Sequence, residues 1–294
     1  MKTSLDHLRD SHQWELEHIV QVLFEEFESA TSTATSEWKK RARILKVILF
    51  GSFARGGWVD DHHSGYKSDY DILVIVNDDR LIDFEFWEAA EDRLMQDKRI
   101  KYEVQLLIEP LQRVNDELAK GQYFFSDIKK EGIALYELTG HKLAEPKTLS
   151  EGEAQKRAEK YFEEAFSLAR NFLVTAPIHI EMGHNKNAAF LLHQITEQTY
   201  RAFLLALTHY SPATHNIRTL RSLAEDLDQK LIDVWPRHQR RDKRKFELLR
   251  RAYVEARYSE HYEITTEELE WLESKVQALQ SQVEKICKTR LAAT

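Results

Sequence analysis

Two short apolar runs limit what this chain can fold into. Ile44–Phe50 and Ile72–Val76 are too short for ordinary helices and almost wholly apolar, so both read as strands of a buried sheet. Gly51 and Ser52 end the first run. Asp69 follows Ser52 by seventeen positions, and Asp71 comes next at the head of the second strand. Strand side chains alternate faces, so Asp69 and Asp71 project to the same side. Paired carboxylates repel each other unless a cation lies between them. Oxygen ligands alone suit magnesium, which also binds phosphate oxygens. A Gly-Ser turn beside the pair offers N–H groups and a hydroxyl to a triphosphate tail.

Composition narrows the function classes. The 294 residues suffice for two domains of ordinary size. With 42% hydrophobic and 31% charged residues, and only 9 Gly and 5 Pro, the chain is globular without long low-complexity tracts. The single cysteine, Cys287, excludes an intrachain disulfide and a thiolate metal cluster. The start reads as too polar for a signal peptide, and no apolar run has the length of a membrane span, so the cytoplasm is the expected address and no membrane partner is expected. A net charge of −7 confines any nucleic-acid site to a local patch.

Periodicity predicts a helix over 5–29, a Ser/Thr-rich break at 30–36, and a further helix at 37–43 before the first strand. A helix over 81–97, a strand over 99–108 stopped by Pro110, a short helix and a last strand at 132–136 complete a mixed α/β domain. Residues 138–150 read as a linker. Helices are then expected over 153–173, 186–208, 217–233, 239–256 and 266–288, the last with one apolar seam as in a bundle. The fold class is therefore α+β: a mixed sheet with flanking helices over 1–140, then an all-α bundle over 150–294.

Gly51-Ser52 with Asp69-x-Asp71, inside Gly-Ser-Phe-Ala-Arg-Gly and Ser-Asp-Tyr-Asp-Ile-Leu-Val, resembles the signature of polymerase-beta-like nucleotidyltransferases, especially the minimal and kanamycin types. The resemblance implies that Gly51 and Ser52 hold nucleotide phosphates, with Arg55 and Ser68 beside them. It implies magnesium on Asp69 and Asp71, and a third carboxylate on a neighbouring strand. Glu103 is the expected third acid, as the one acid inside the third strand. Each has a plainer reading too: a capped strand start for the two aspartates, an exposed strand residue for Glu103, a surface ion pair for Arg55. The Gly57–Tyr66 surplus can cover the site, and its Asp60, Asp61, His62 and His63 read better as a solvated insertion than as metal ligands.

Residues 188–194, 211–216 and 256–262 resemble the HEPN helical domain, over about 155–287. Arg257 and His261 have three residues between them, fewer than in the ribonuclease members. Arg257, Tyr258, His261 and Tyr262, with His215, therefore read as a nucleotide- or phosphate-binding junction, and Tyr258 or Tyr262 as an acceptor of AMP. His193 reads as a core histidine and Asn216 as a helix cap. The eight Lys and Arg of 237–251 read as a solvated helix face, with an RNA funnel as the alternative.

The expected protein uses magnesium and a nucleoside triphosphate, ATP for preference. It moves AMP to an acceptor hydroxyl on protein, RNA or a small molecule, and forms a homodimer through the bundle. The alternative is a HEPN ribonuclease of toxin–antitoxin type, or a nucleotide sensor, with a regulatory nucleotidyltransferase-like module.

Overall fold

A computed structural model describes residues 1–32, 36–61, 66–212 and 214–292. His62 and His63 of the insertion lie outside the described residues. The chain divides into two compact units, Met1–Asp60 with Lys67–Thr148, and Leu149–Thr294 with Asp61–Tyr66.

The first unit begins with helix α1 (Asp10–Ser32) and the short α2 (Glu37–Lys40). Strand β1 (Ile44–Phe50) runs straight into α3 (Gly51–Arg55). A two-stranded ribbon, β2 (Asp60–Asp61) and β3 (Tyr66–Lys67), precedes β4 (Tyr70–Val76). Helix α4 (Glu88–Gln96), β5 (Val104–Pro110), α5 (Leu111–Ala119), α6 (Tyr123–Glu131) and β6 (Ile133–Glu137) follow. The four longer strands form one sheet in the order β5-β4-β1-β6. β4 and β5 are parallel, while β1 is antiparallel to both β4 and β6. Every residue of β1 and β4 is buried, as unbroken apolar runs require of central strands. Tyr70, Ile72, Val74 and Val76 join Leu16, Ile19 and Leu23 of α1 and Leu94 of α4 in one core.

Of the boundaries that differ from expectation, three in this unit have a local reason. α1 starts at Asp10 rather than residue 5, because Gln13 Nε2 donates to the carbonyls of Leu5 and Leu8 and holds that segment as a turn. Two 3₁₀ turns, Asp79–Ile82 and Phe84–Phe86, replace the start of the helix expected from residue 81, and Trp87 Nε1 donates to Leu81 O across them at 2.6 Å. β5 begins at Val104 instead of 99, since Lys101 N–H is engaged by Glu15 Oε2 at 3.0 Å rather than by the ladder. Pro110 closes β5 from within; the strand lies at the sheet edge, where a missing N–H is tolerated.

The second unit is helical: α7 (Glu151–Glu181), α8 (Asn185–Thr208), α9 (Ile217–Leu227), a 3₁₀ segment Gln229–Val234, α10 (Arg240–Tyr258) and α11 (Thr266–Ala292). α8 packs against α7, α9, α10 and α11 and is the bundle's central helix. The seam Leu269, Leu272, Val276, Leu279, Val283 and Ile286 of α11 is buried. Ser150 and Glu153 form a capping box at the start of α7. No helix among the described residues is long and apolar enough to cross a membrane.

Candidate functional site

The turn after β1 and the head of β4 come together through sheet register. Phe50 pairs with Asp71, so Gly51 leaves the sheet beside that carboxylate. Gly51 has φ 72°, which side chains disfavour, and this left-handed step carries the strand directly into α3. Ser52, 7% exposed, has a buried Oγ without a hydrogen-bond partner. A buried hydroxyl left unpaired costs free energy, and a phosphate oxygen arriving at the turn would satisfy it. Asp71 is 2% exposed and Asp69, just ahead of β4, is half-buried.

β5 supplies the third wall. Asp71 and Gln105 are partners in the parallel ladder, as are Tyr70 and Val104. Tyr70 belongs to the core, so Asp71 and Gln105 share the opposite face. Gln105 Nε2 donates to Asp69 Oδ2 at 3.4 Å. Glu103 lies ahead of β5 and is exposed, and its backbone carbonyl accepts from Tyr70 N–H at 2.8 Å. Among the described residues no group of three or more His, Cys, Asp or Glu side chains is placed to hold a metal ion. Glu103 thus stands one residue ahead of β5 rather than inside it, and Gln105, two residues on and on the same face, is the strand residue across from Asp71.

The other expected residues divide. Arg55 is exposed at the end of α3, with its charge acting on Asp127, whose carboxyl burial and Glu131 push up and Arg55 draws back down. Ser68 is buried and ties the loop: Val59 N–H donates to its Oγ at 2.9 Å, and Ser68 N–H donates to Val59 O at 2.8 Å. Asp60 faces cations within its own unit, with Lys101 Nζ at 2.7 Å and Lys67 Nζ at 3.8 Å. Below the turn, His12 packs edge-on against Phe53, Trp58, Tyr70 and Tyr102. Burial there, with Arg9 and Lys101 adding to it, lowers the His12 pKa and favours a neutral ring.

In the second unit, Tyr262 is a correction. It is buried, and its hydroxyl donates to Leu248 O at 2.9 Å, so the phenol is closed to an incoming nucleotidyl group. Tyr258 is 75% exposed, and Arg257 and His261 are exposed with it. The Arg257 guanidinium lies over the rings of Tyr253 and Tyr258, 4.4 and 5.0 Å from their centroids. Tyr253 stacks on His215 at 4.0 Å, and His215 donates Nδ1–H to Glu197 Oε2 at 2.9 Å. His193 is a core residue, bonded through Nδ1 to Leu249 O at 2.9 Å, and its Nε2 lies 3.7 Å from Glu197 Oε2. Burial alone would raise the Glu197 carboxyl, yet the nearby His193 ring and the hydrogen bond from His215 hold it below the usual glutamate range. Asn216 caps α9, accepting from Arg218 N–H at 3.1 Å. In the basic run, Arg237, Arg244, Arg250 and Arg251 pair with Glu225, Glu268, Glu247 and Glu255. That is an ion-paired helix face.

Sequence reasoning missed Gln105, Glu197 and Tyr253. Glu103 and Gln105 share a face by alternation, and the ladder register sets Gln105 across from Asp71. Glu197 had a signal, since His193 and Glu197 are one helical turn apart on an apolar stretch.

Comparison with known families matches residues 33–138 to Polymerase beta, Nucleotidyltransferase, and residues 156–288 to the HEPN domain. No curated protein matches the chain. The sheet, with Gly51, Ser52, Asp69 and Asp71, falls within the first match and the second covers most of the helical bundle, so this chain joins a polymerase-beta-type nucleotidyltransferase domain to a HEPN domain.

Proposed function

We propose that the chain is a magnesium-dependent nucleotidyltransferase that moves AMP from ATP to an acceptor hydroxyl, its two domains spanning 1–140 and 150–294. The observation carrying this reading is the junction of the unpartnered Ser52 hydroxyl with Asp71, whose strand neighbour Phe50 leads into the Gly51 turn. Gly51 and Ser52 would orient the triphosphate, and Asp69 and Asp71 would hold the cation. When bound, magnesium would neutralise charge on the phosphates during displacement at the α-phosphorus. The residues' task is then positioning, with pyrophosphate as leaving group. Arg55 serves the phosphates, and Ser68 serves as a positioning residue for the loop that leads to Asp69.

The HEPN domain would contribute acceptor or nucleotide binding, or a homodimer contact, in a cytoplasmic protein. Its exposed Arg257–Tyr258 pair, with the Tyr253–His215 stack behind it, suits a base and its phosphate. The exposure of Arg257 and His261 also favours a second reading, RNA cleavage by this domain with the first as a regulatory module.

Incubation with α-labelled triphosphates and magnesium, with protein, RNA and small-molecule acceptors, tests both. Asp69→Asn and Asp71→Asn are each expected to lower transfer at least about a hundredfold, as loss of a transition-state charge contact does. Transfer that survives both substitutions, or RNA cleavage abolished only by His261→Ala, would favour the second reading.

A further inference from the structure

Glu197 is 1% exposed, and its carboxylate sets the state of His215. A carboxylate oxygen only accepts, so the 2.9 Å bond puts the ring proton on Nδ1 and leaves the lone pair of the neutral imidazole on Nε2. Arg201 Nη1, 3.5 Å from Oε1, and His193 Nε2, 3.7 Å from Oε2, help to fix that carboxylate. The ring itself lies flat on Tyr253, with 16° between the planes. His215 is thus held at one edge and one face, while 52% of its side chain is exposed and no described residue bonds Nε2. Arg257 lies on the same tyrosine: its Nε donates to Tyr253 O at 2.6 Å, and its guanidinium is 4.4 Å from the ring centroid. Arg244, Arg250 and Arg251 have glutamate partners, whereas Arg257 has no acid partner among the described residues. An oriented imidazole and an uncompensated guanidinium flanking one aromatic ring suit a phosphoryl group. The neighbouring phenols are less suited to attack one. Tyr262 is closed by its bond to Leu248 O, and no described residue accepts the hydroxyl hydrogen of Tyr258, which must be shed before the oxygen attacks. The Nε2 lone pair needs no such step.

We propose that His215 Nε2 is a self-modification site that accepts the nucleotidyl group of a nucleoside triphosphate, with Arg257 pairing with the transferred phosphate. The Nε2 lone pair forms a bond to the α-phosphorus, and the bond from phosphorus to the bridging oxygen breaks. Pyrophosphate leaves with that electron pair. The Nδ1 proton passes to Glu197, which leaves a neutral ring joined to phosphorus through nitrogen. Glu197 is a positioning residue and the proton's destination. The inference rests on the nucleotidyl-transfer reading, and it holds whether the donor is bound by the same molecule or by a second copy.

The full chain incubated with α-labelled ATP and magnesium tests this, with RNA and small-molecule acceptors assayed in parallel and label on the chain mapped by mass spectrometry at neutral pH. A phosphorus–nitrogen bond to imidazole is lost in mild acid, whereas a tyrosine phosphodiester survives it. The wild type is expected to carry an acid-labile adenylyl group on His215, and His215→Gln to lack it. Arg257→Gln is expected to form it about tenfold more slowly, as loss of a hydrogen bond to a charged group does. Acid-stable label on Tyr258 or another hydroxyl of the chain, with none on His215, would overturn the proposal while leaving nucleotidyl transfer standing. So would transfer to RNA or a small molecule with the chain itself unlabelled, or His215→Gln labelled like the wild type. Should His215→Gln fail to fold by circular dichroism, the position of label in the wild type decides. Label on no acceptor at all would remove the underlying reading and the proposal with it.

Discussion

Single side chains carry most of the chemistry here, and their surroundings divide function from support. Tyr258 and Tyr262 are four residues apart, yet one is open to solvent and the other is locked onto Leu248. Tyr262→Phe is therefore expected to cost about 1 kcal/mol of stability, the usual net worth of one hydrogen bond, without changing labelling of the protein by nucleotide. Denaturant titration and a labelling assay read the two effects separately. Buried Glu197 lies beside the buried His193 and accepts from the exposed His215, and its carboxylate is stabilised in the ionised form. A depressed carboxyl contributes stability above its ordinary pKa and loses it as pH falls through the folded value. Glu197→Gln is expected to cost about 3 kcal/mol at neutral pH, because a buried charge partner is removed. The gap between wild type and variant should narrow below pH about 4, the ordinary carboxylate range, which stability curves measured from pH 3 to 7 would display.

At the scale of elements, strand register is what converts separate motifs into one site. β1 places Gly51 beside Asp71, and β5 places Gln105 beside the same residue. The turn depends on a glycine at φ 72°. Gly51→Ala is expected to destabilise the first unit by about 1–2 kcal/mol, the cost of a left-handed residue bearing a Cβ. It should also weaken nucleotide binding, since relaxation of the turn displaces Ser52. Thermal unfolding and equilibrium nucleotide binding check these in turn; a variant as stable as the parent would show that the turn relaxes without strain. Arg250 and Arg251 pair with glutamates of α10 itself, Arg244 with Glu268 of α11, and Arg237, ahead of α10, with Glu225 of α9, which turns a basic stretch of sequence into bundle structure.

For the whole molecule, each compact unit has its own apolar interior: a sheet packed on α1 and α4 in one, the surroundings of α8 in the other. A fragment of residues 149–294 is expected to fold alone as a helical protein with a cooperative thermal transition, measurable by circular dichroism. A non-cooperative fragment would mean that its core requires the rest of the chain.

Order along the chain was legible without coordinates wherever a feature is local. The apolar runs marked β1 and β4, three- and four-residue spacing marked the bundle helices, and Gly51-Ser52 with Asp69-x-Asp71 marked the chemistry, because side-chain period and turn preference act between near neighbours. Setting Gln105 across from Asp71, closing Tyr262 and gathering Glu197 with two histidines were decided by folding alone. These depend on the register between strands and the burial between helices, and such contacts join residues far apart in the chain that no local pattern relates.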